Sequence, residues 1–428
     1  MRTQRLKQEL REIHAARHPL PLQEREHARD AVVRHQPERE RGDVRMLRRM
    51  ARALAIDVKS RRLVEERTLV CGRNLLCAGG ETRGVILLAE RARDVGKFKQ
   101  VLVLLVSSDV NWVENSMVAS LGNLAANIAG FRKIKPLPFS ALRSFYPNMS
   151  YKDAVLTYSV LGGQTGLWRY FDDSLSFKEN VCKNILNKNS FLYGEALRLT
   201  SENLRETAVY HTILSVMARG INKLNDIYHE TGFSRAKISV YLKTLINHDF
   251  AYKAYSFGNV GRENVVKGVY KIADPFLDFY FRFVFPNESN LMRMPAERFY
   301  DIFISAGIQN YATEHFKSVC REYILHSEER GLFPFEIEDE GEWLGKEGNL
   351  DIIVQSDVGD TAIGMCCWQR QATHDDLLSI ESCAKKARLE GDYYYLFSTV
   401  GFDAWLQDAA MKPDSKIRLI GIDELTNG

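Results

Sequence analysis

The spacing of hydrophobic and polar positions predicts the clearest local structure between residues 205 and 272. Apolar side chains recur there every three or four residues in three consecutive segments, which is the spacing of one helical face. The predicted helices are Arg205–Arg219, Lys223–Thr231 and a third that is capped by Ser234 and continues to about Asn247. Two β-like runs follow, at Phe250–Phe257 and Val265–Ile272. Three helices and a β-hairpin together predict a winged helix-turn-helix.

Upstream of these helices, the run Lys99–Val106 is almost continuously apolar and ends in Ser107 and Ser108. A run of this kind predicts a buried parallel strand whose polar end reaches a site. Helical periodicity then extends from Ala141 to Leu204, interrupted at Gly162-Gly163, and predicts a small helical lid.

Beyond Pro275, helical and strand-like patterns alternate, which predicts a final α/β segment. The predicted helices are Phe276–Phe285, Tyr311–Leu325, Asp375–Ala387 and Asp403–Ala410, and the predicted strands are Leu350–Val354, Thr361–Cys367, Tyr393–Ser398 and Ile417–Ile420. The whole pattern predicts an α/β protein, with divisions at 98–140, 141–204, 205–275 and 276–428.

Composition sets residues 1–97 apart from the rest of the chain. They contain no Phe, Trp or Tyr, and their 23 basic residues, 20 of them arginine, exceed their 14 acidic ones. The acids are interleaved with the arginines, so the segment lacks the basic block of a nucleic-acid-binding arm. We interpret it as an anomalous Arg-rich segment, and four hypotheses stay open: translation in the wrong frame, a genuine divergent domain, a mis-assigned start and disorder.

Two further features of the sequence bear on the cellular location of the protein. No apolar run reaches the roughly 18–20 residues that a membrane helix needs, and we expect no membrane partner. The seven cysteines are odd in number and irregularly spaced, which indicates a reducing compartment rather than a disulfide framework. We therefore expect a cytoplasmic protein.

The predicted winged helix carries cations that could contact DNA. In a DNA-binding version its third helix enters the major groove, and outward side chains of that helix reach base edges while those of the wing reach phosphates. The candidates are Ser234, Arg235, Lys237, Ser239 and Lys243 on the helix, and Lys253, Arg262 and Lys267 on the wing. The alternative is a packing or oligomerisation module, because a few cations attract phosphate without providing a sequence code.

From about Phe98 onward the sequence resembles the archaeal-type ATPases of prokaryotes, AAA+-like NTPases of the STAND group with a nuclease-like C-terminal domain. The similarity lies in the order and spacing of VLVLLVSSDVNWVENSMV, LGGQTGLWRYFDD, GFSRAKISVYLKTLINHDF, GVYKIADPFLDFYFRFVFPN and YYYLFSTVGFDAWL. The resemblance implies part of a P-loop ATPase sheet, a helical lid, a winged helix and a PD-(D/E)xK nuclease-like domain. It also implies ATP and Mg²⁺ as cofactors.

The motifs that would hold those cofactors are missing. No GxxxxGK[ST] sequence occurs, and no apolar strand before Lys97 ends in paired acids. One feature of the family remains: Ser107 and Ser108 resemble the serines of the strand that senses the γ-phosphate. We expect this form of the chain to bind no cofactor and to lack ATP hydrolysis.

The nuclease-like segment is similarly incomplete. By the resemblance, Asp351 occupies the aspartate position, whereas Met365 and Cys367 stand where a glutamate and a lysine would be, and Lys317 stands near the expected helix glutamate. One carboxylate cannot hold the magnesium that such a site needs, so Asp351 is a vestigial nuclease position and we expect a scaffold. Cys366 and Cys367 should lie along one strand, one side chain on each face.

Two functions follow from these patterns. The first is an ATPase-family protein without ATP hydrolysis that acts as a nucleic-acid or protein interaction module, with DNA, other proteins or a second copy as partner. The alternative is an ATP-binding and ATP-hydrolysing STAND ATPase whose P-loop is lost only in this gene model.

Overall fold

A computed structural model describes residues 68–71, 102–105, 110–121, 125, 128, 131, 133–258, 268–345 and 348–427. The chain divides into two compact units, residues 1–134 and Lys135–Gly428. The hypotheses on the Arg-rich segment concern residues that, apart from 68–71, lie outside the described ones, as do Ser107 and Ser108.

The described part of the first unit contains two short strands and two helices. Strand β1, Thr68–Cys71, pairs in parallel with β2, Leu102–Leu105, and Thr68 lies opposite Leu102. Helices α1, Val110–Asn115, and α2, Met117–Leu121, follow β2. The predicted strand Lys99–Val106 is thus confirmed over its apolar centre.

The second unit begins with the helices predicted as a lid. They are α3 (Phe139–Phe145), α4 (Tyr151–Leu161), α5 (Thr165–Trp168), α6 (Phe177–Asn184) and α7 (Glu195–Asn203). Ser176 and Glu179 form a reciprocal capping box at the start of α6, so its first backbone N–H groups are satisfied. At the end of α4, Gly162 adopts a φ of +55°, which explains why the helical pattern breaks there.

Three helices and a hairpin occupy residues 207–272, and we call them the helix–hairpin unit. The helices are α8 (Thr207–Ala218), α9 (Leu224–Thr231) and α10 (Arg235–Asn247), and the strands are β3 (Ala251–Tyr255) and β4 (Gly268–Ile272). The two strands are antiparallel, with Ala251 opposite Ile272. Ser234 caps α10 as predicted, because its Oγ accepts a hydrogen bond from the backbone N–H of Lys237 at 3.3 Å.

A long helix follows several short ones. Their bounds are α11 (Pro275–Phe279), α12 (Glu288–Leu291), α13 (Ala296–Phe299) and α14 (Ile308–Glu329). The predicted aromatic helix Phe276–Phe285 is regular only as far as Phe279. It then widens into a π turn at Tyr280–Val284, where the N–H of Phe285 bonds to the carbonyl of Tyr280.

The C-terminal segment is a mixed five-stranded sheet in the order β5-β6-β7-β8-β9. Its strands are β5 (Asp339–Leu344), β6 (Asn349–Gln355), β7 (Thr361–Cys367), β8 (Tyr393–Ser398) and β9 (Ile417–Ile420). The first three are antiparallel neighbours, and β7, β8 and β9 are parallel. Helices α15 (His374–Ala387) and α16 (Ala404–Ala410) make the two parallel connections, and α17 (Ile422–Asn427) follows β9.

The sheet separates two apolar layers. Cys366 belongs to the large core that also contains side chains from the lid helices, the helix–hairpin unit and α14, whereas Cys367 belongs to a smaller core under α15. The prediction that these neighbouring cysteines face opposite sides of one strand is confirmed. Residues 135–427 therefore combine helices and strands around the sheet, which is the predicted α/β class.

Candidate nucleic-acid interface

Helix α10 buries one side and exposes the other. Ile238, Leu242 and Leu245 are at most 1% exposed and belong to the large core. Their spacing of three to four residues places them on one face of the helix, so the opposite face is left in contact with solvent. This opposite face is the candidate interface.

The predicted DNA-contacting residues of α10 differ in their surroundings. Arg235, Ser239 and Lys243 are exposed and stand four residues apart, so they form a row along the helix. Ser234 is exposed, but its hydroxyl already caps the helix. Lys237 is half-buried, and its ammonium lies 4.6 Å from the ring centroid of Phe233 and 5.6 Å from that of Tyr241. Of the predicted residues on α10, a ligand can therefore reach the row formed by Arg235, Ser239 and Lys243.

The cations of this row have no acidic partner among the described residues. Neither Arg235 nor Lys243 takes part in an ion pair there, whereas Arg219 of the same unit binds Glu230 at 2.9 Å. The guanidinium carbon of Arg235 lies 5.5 Å from the ring centroid of Tyr228, a contact that leaves its N–H groups available. Within the described part of the chain, therefore, no internal ion pair has to break before either charge meets an external anion.

Two apolar residues of the same face were not predicted. Ala236 and Val240 are exposed, and Val240 retains 63% of its accessible surface. Sequence reasoning selected polar residues only, although the helical spacing that exposes Ser239 and Lys243 also exposes their neighbours. The helical period alone could have identified them.

Of the cations predicted for the wing, Lys253 lies on the described part of the hairpin, over aromatic rings. Lys253 is half-buried, and its ammonium lies 5.0 Å from the ring centroid of Tyr255 and 5.7 Å from that of Tyr270. The side chain lies across Gly268 on the opposite strand, where an added Cβ would approach Lys253 Cε to 2.5 Å. Arg262 and Lys267 of the predicted wing lie outside the described residues.

One polar contact fixes α10 against the start of α8. The hydroxyl of Tyr241 donates a hydrogen bond to the Glu206 carboxylate. This bond to the carboxylate, with some desolvation, raises the pKa of Tyr241 to about 12. Tyr241 is consequently a neutral donor over the physiological range, and it holds the half-buried edge of α10 in place.

Asp351, which the sequence resemblance predicted as a vestigial nuclease position, is engaged in an ion pair. Lys317 of α14 lies with its Nζ 3.0 Å from Asp351 Oδ1, and their side chains are only 17% and 15% exposed. The second oxygen of Asp351 accepts a hydrogen bond from the backbone N–H of Cys366 at 3.0 Å. Burial lowers the pKa of Lys317, but the carboxylates of Asp351 and Glu314 outweigh it and raise the pKa overall.

Cys367, which the resemblance predicted at the lysine position, lies near a carboxylate that is already paired. The Sγ of Cys367 lies 4.0 Å from Asp376, and that carboxylate is already held by Arg370 at 2.7 and 2.8 Å. Throughout the part of the chain that the structure describes, no group of three or more His, Cys, Asp or Glu side chains is arranged to hold a metal ion. Lys317 supplies the positive charge beside Asp351 instead.

Comparisons with known proteins find a family similarity in the C-terminal part of the chain. Residues 280–379 match the family DUF234, described as archaeal and bacterial proteins of unknown function. The matched residues extend from the π turn after α11 into α15 and include both Lys317 and Asp351.

Over 327 residues the chain is 27% identical to an uncharacterized protein of Methanocaldococcus jannaschii. That similarity covers 75% of this chain and 72% of the archaeal protein. No solved structure matches the chain significantly. Among the described helices, none combines the length and the apolar character required to cross a membrane.

Proposed function

We propose that this protein is a nucleic-acid interaction module that binds duplex DNA through α10 and that does not hydrolyse ATP in the form given by this sequence. The observation that carries the proposal is the exposed face of α10, where Arg235 and Lys243 have no acidic partner among the described residues. An α-helix fits the major groove of B-DNA, and cations without internal partners bind phosphate by releasing its counterions.

The distribution of charge along the chain supports this choice. Residues 205–275 contain ten basic and six acidic side chains, whereas the other residues between 98 and 428 contain 25 basic and 35 acidic ones. The segment that includes the helix–hairpin unit is thus net positive, whereas the other residues between 98 and 428 are net negative. Such a local excess attracts DNA to this part of the surface.

The arrangement favours binding with limited sequence discrimination. Arg235, Ser239 and Lys243 offer donors along one helical row, and Lys237 and Lys253 are partly committed to aromatic rings. Phosphate contacts position a protein on DNA, and only contacts to base edges specify sequence. We therefore expect measurable affinity for unrelated duplexes at low salt.

A titration of labelled 24-base-pair duplex followed by fluorescence anisotropy tests the proposal. The variant Arg235→Ala/Lys243→Ala removes two exposed cations and is expected to bind at least tenfold more weakly at about 50 mM salt. The matched control Arg293→Ala/Lys412→Ala also removes one exposed arginine and one exposed lysine, but outside the helix–hairpin unit. If both double variants bind like the wild type, α10 is the wrong surface.

We propose a second candidate, ATP binding, because β1 and β2 form a parallel strand pair of the kind found in α/β nucleotide-binding sheets. The sequence resemblance places Ser107 and Ser108 directly after β2. A ligand at 100 times its Kd stabilises the native state by about 2.7 kcal/mol, so a thermal shift with Mg-ATP measures the interaction. The absence of any shift at millimolar Mg-ATP would exclude this candidate for the chain.

For the nuclease-like segment we propose a scaffold role. The Lys317–Asp351 ion pair supports it, because Lys317 lies at the position where a metal site would need a second carboxylate. If this segment is a scaffold, the protein should leave supercoiled plasmid intact in the presence of Mg²⁺ or Mn²⁺. Cleavage that Asp351→Asn abolishes would contradict the scaffold role.

A further inference from the structure

The exposed face of α10 has an apolar centre. Val240 is 63% exposed and is the most exposed large apolar side chain among the described residues of the helix–hairpin unit. Ala236 lies one turn before it and is also exposed. At 100° per residue, Ala236, Val240 and Lys243 point within about 60° of one another, opposite the buried residues of the helix. A ligand that meets Lys243 along this face must therefore also meet the two apolar side chains.

The cations that flank Ala236 and Val240, which we call the apolar strip, indicate which kind of ligand this face binds. Arg235 stands directly before Ala236 in sequence, and Lys243 is one turn beyond Val240, so the apolar strip has a cation at each end. An apolar protein surface on the strip would have to desolvate both cations or provide two acids for them. The major groove provides phosphates at its margins and, inside it, the 5-methyl group of thymine as its one apolar feature. Duplex DNA therefore satisfies the cations and the apolar strip together.

We infer that Ala236 and Val240 contact thymine methyl groups and that α10 consequently prefers A·T-containing duplexes. This inference rests on the proposed DNA binding and names the chemical group that the helix recognises. Covering one methyl group contributes about 0.8 kcal/mol, which corresponds to a factor of about four in affinity per methyl contact. Lys243 and Arg235 supply the affinity that is independent of sequence, and the two apolar residues supply the preference.

The test compares a duplex of alternating dA·dT with the same duplex in which deoxyuridine replaces thymidine, since uracil lacks only the 5-methyl group. The wild type is expected to bind the thymine duplex about four- to sixteenfold more tightly, for one or two methyl contacts. Val240→Ser removes the apolar contact at an exposed position, so the fold should be retained, which the melting temperature checks. This variant is expected to discriminate between the two duplexes about fourfold less than the wild type, because one methyl contact is lost.

The control variant Val358→Ser changes a valine that is 80% exposed in the turn between β6 and β7, outside the helix–hairpin unit. It should keep the wild-type discrimination. Equal binding of both duplexes by the wild type, or unchanged discrimination in Val240→Ser, would overturn the inference while the proposed DNA binding stands. Failure of the wild type to bind any duplex at low salt would instead overturn the proposed function.

Sedimentation of the DNA-free protein tests the alternative that this face binds a second copy of the chain. The inference predicts that wild type and Val240→Ser sediment identically. If Val240→Ser dissociates an oligomer of the wild type, the strip is an interface between copies of the chain and the inference is wrong.

Discussion

Gly163 shows how closely two backbone segments approach inside the second unit. A Cβ at this position would lie 2.1 Å from the carbonyl oxygen of Leu137 and 2.4 Å from its nitrogen. The same segments are joined by a hydrogen bond from the Leu137 N–H to the Gly163 carbonyl at 2.9 Å. The sequence predicted a break at Gly162-Gly163, but the approach of Leu137, 26 residues earlier, depends on tertiary structure that no local pattern encodes.

We expect Gly163→Ala to destabilise the protein by about 1–3 kcal/mol, because the added methyl group can be accommodated only if the backbone moves. Gly166→Ala is the matched control, since a Cβ there meets nothing within 4 Å and the residue lies in α5. That change should be neutral or stabilising by up to about 1 kcal/mol. Urea unfolding measures both, and equal effects of the two substitutions would contradict the close approach.

His211 of α8 is a half-buried histidine that is expected to influence the acid stability. Its ring contacts those of Phe281 and Phe285, and its Nε2 lies 2.8 Å from the hydroxyl of Thr200. Burial lowers its pKa below the value of about 6.5 that is typical of an exposed imidazole. Between the folded and unfolded pKa values the unfolded chain binds a proton that the folded protein does not, so stability rises with pH in that interval.

The expected outcome is a loss of unfolding free energy in the wild type as the pH falls below about 6.5, with a smaller loss in His211→Gln, which cannot take up the proton. Urea unfolding at several pH values between 8 and 5 measures the difference. His229→Gln replaces an exposed histidine and serves as the control. If His211→Gln and the wild type lose stability in parallel, His211 contributes nothing to the pH dependence.

At the scale of elements, the local pattern of apolar residues predicted most of the helices and strands in the described part of the chain. The strands Thr361–Cys367, Tyr393–Ser398 and Ile417–Ile420 have the predicted bounds, and the first two are mostly buried. Strand β5, Asp339–Leu344, was not predicted, since an edge strand with the sequence DEGEWL has little apolar character of its own. It forms because its backbone pairs with the next strand, β6, in an antiparallel hairpin.

The ion pair between α14 and β6 is expected to matter for stability. Lys317→Met leaves the mostly buried Asp351 carboxylate without its charged partner and should cost about 3 kcal/mol. Lys317→Met/Asp351→Asn should cost less than Lys317→Met alone, because the charge is removed while the amide oxygen can still accept the Cys366 N–H bond. A double-mutant cycle measured by urea unfolding gives the coupling between the two residues.

Lys178→Met is the control for this cycle. It removes a lysine whose ion pair with Asp301, at 2.6 Å, is largely exposed, and it should have a much smaller effect. If Lys317→Met is no more destabilising than Lys178→Met, the buried pair does not stabilise the contact between α14 and β6.

At the scale of the whole molecule, sequence pattern predicted the α/β class and the row of polar residues on α10, both of which follow from local periodicity. It did not predict that Lys237 and Lys253 would lie over aromatic rings, although Phe233 and Tyr241 each stand four residues from Lys237; the Tyr270 ring beside Lys253 comes from the opposite strand. It also missed the apolar centre of α10, since charge rather than exposure guided the choice of residues. The common core of the lid helices, the helix–hairpin unit and the sheet is a tertiary property that depends on residues far apart in sequence.

The most direct test of the DNA-binding proposal is the salt dependence of DNA affinity between about 50 and 200 mM monovalent salt. Each phosphate contact contributes about 0.9 to the slope of the logarithm of the association constant against the logarithm of salt concentration. The wild type should therefore show a slope about two units steeper than Arg235→Ala/Lys243→Ala, while Arg293→Ala/Lys412→Ala should match the wild type. Identical slopes for all three proteins would contradict the assignment of α10 as the DNA-binding surface.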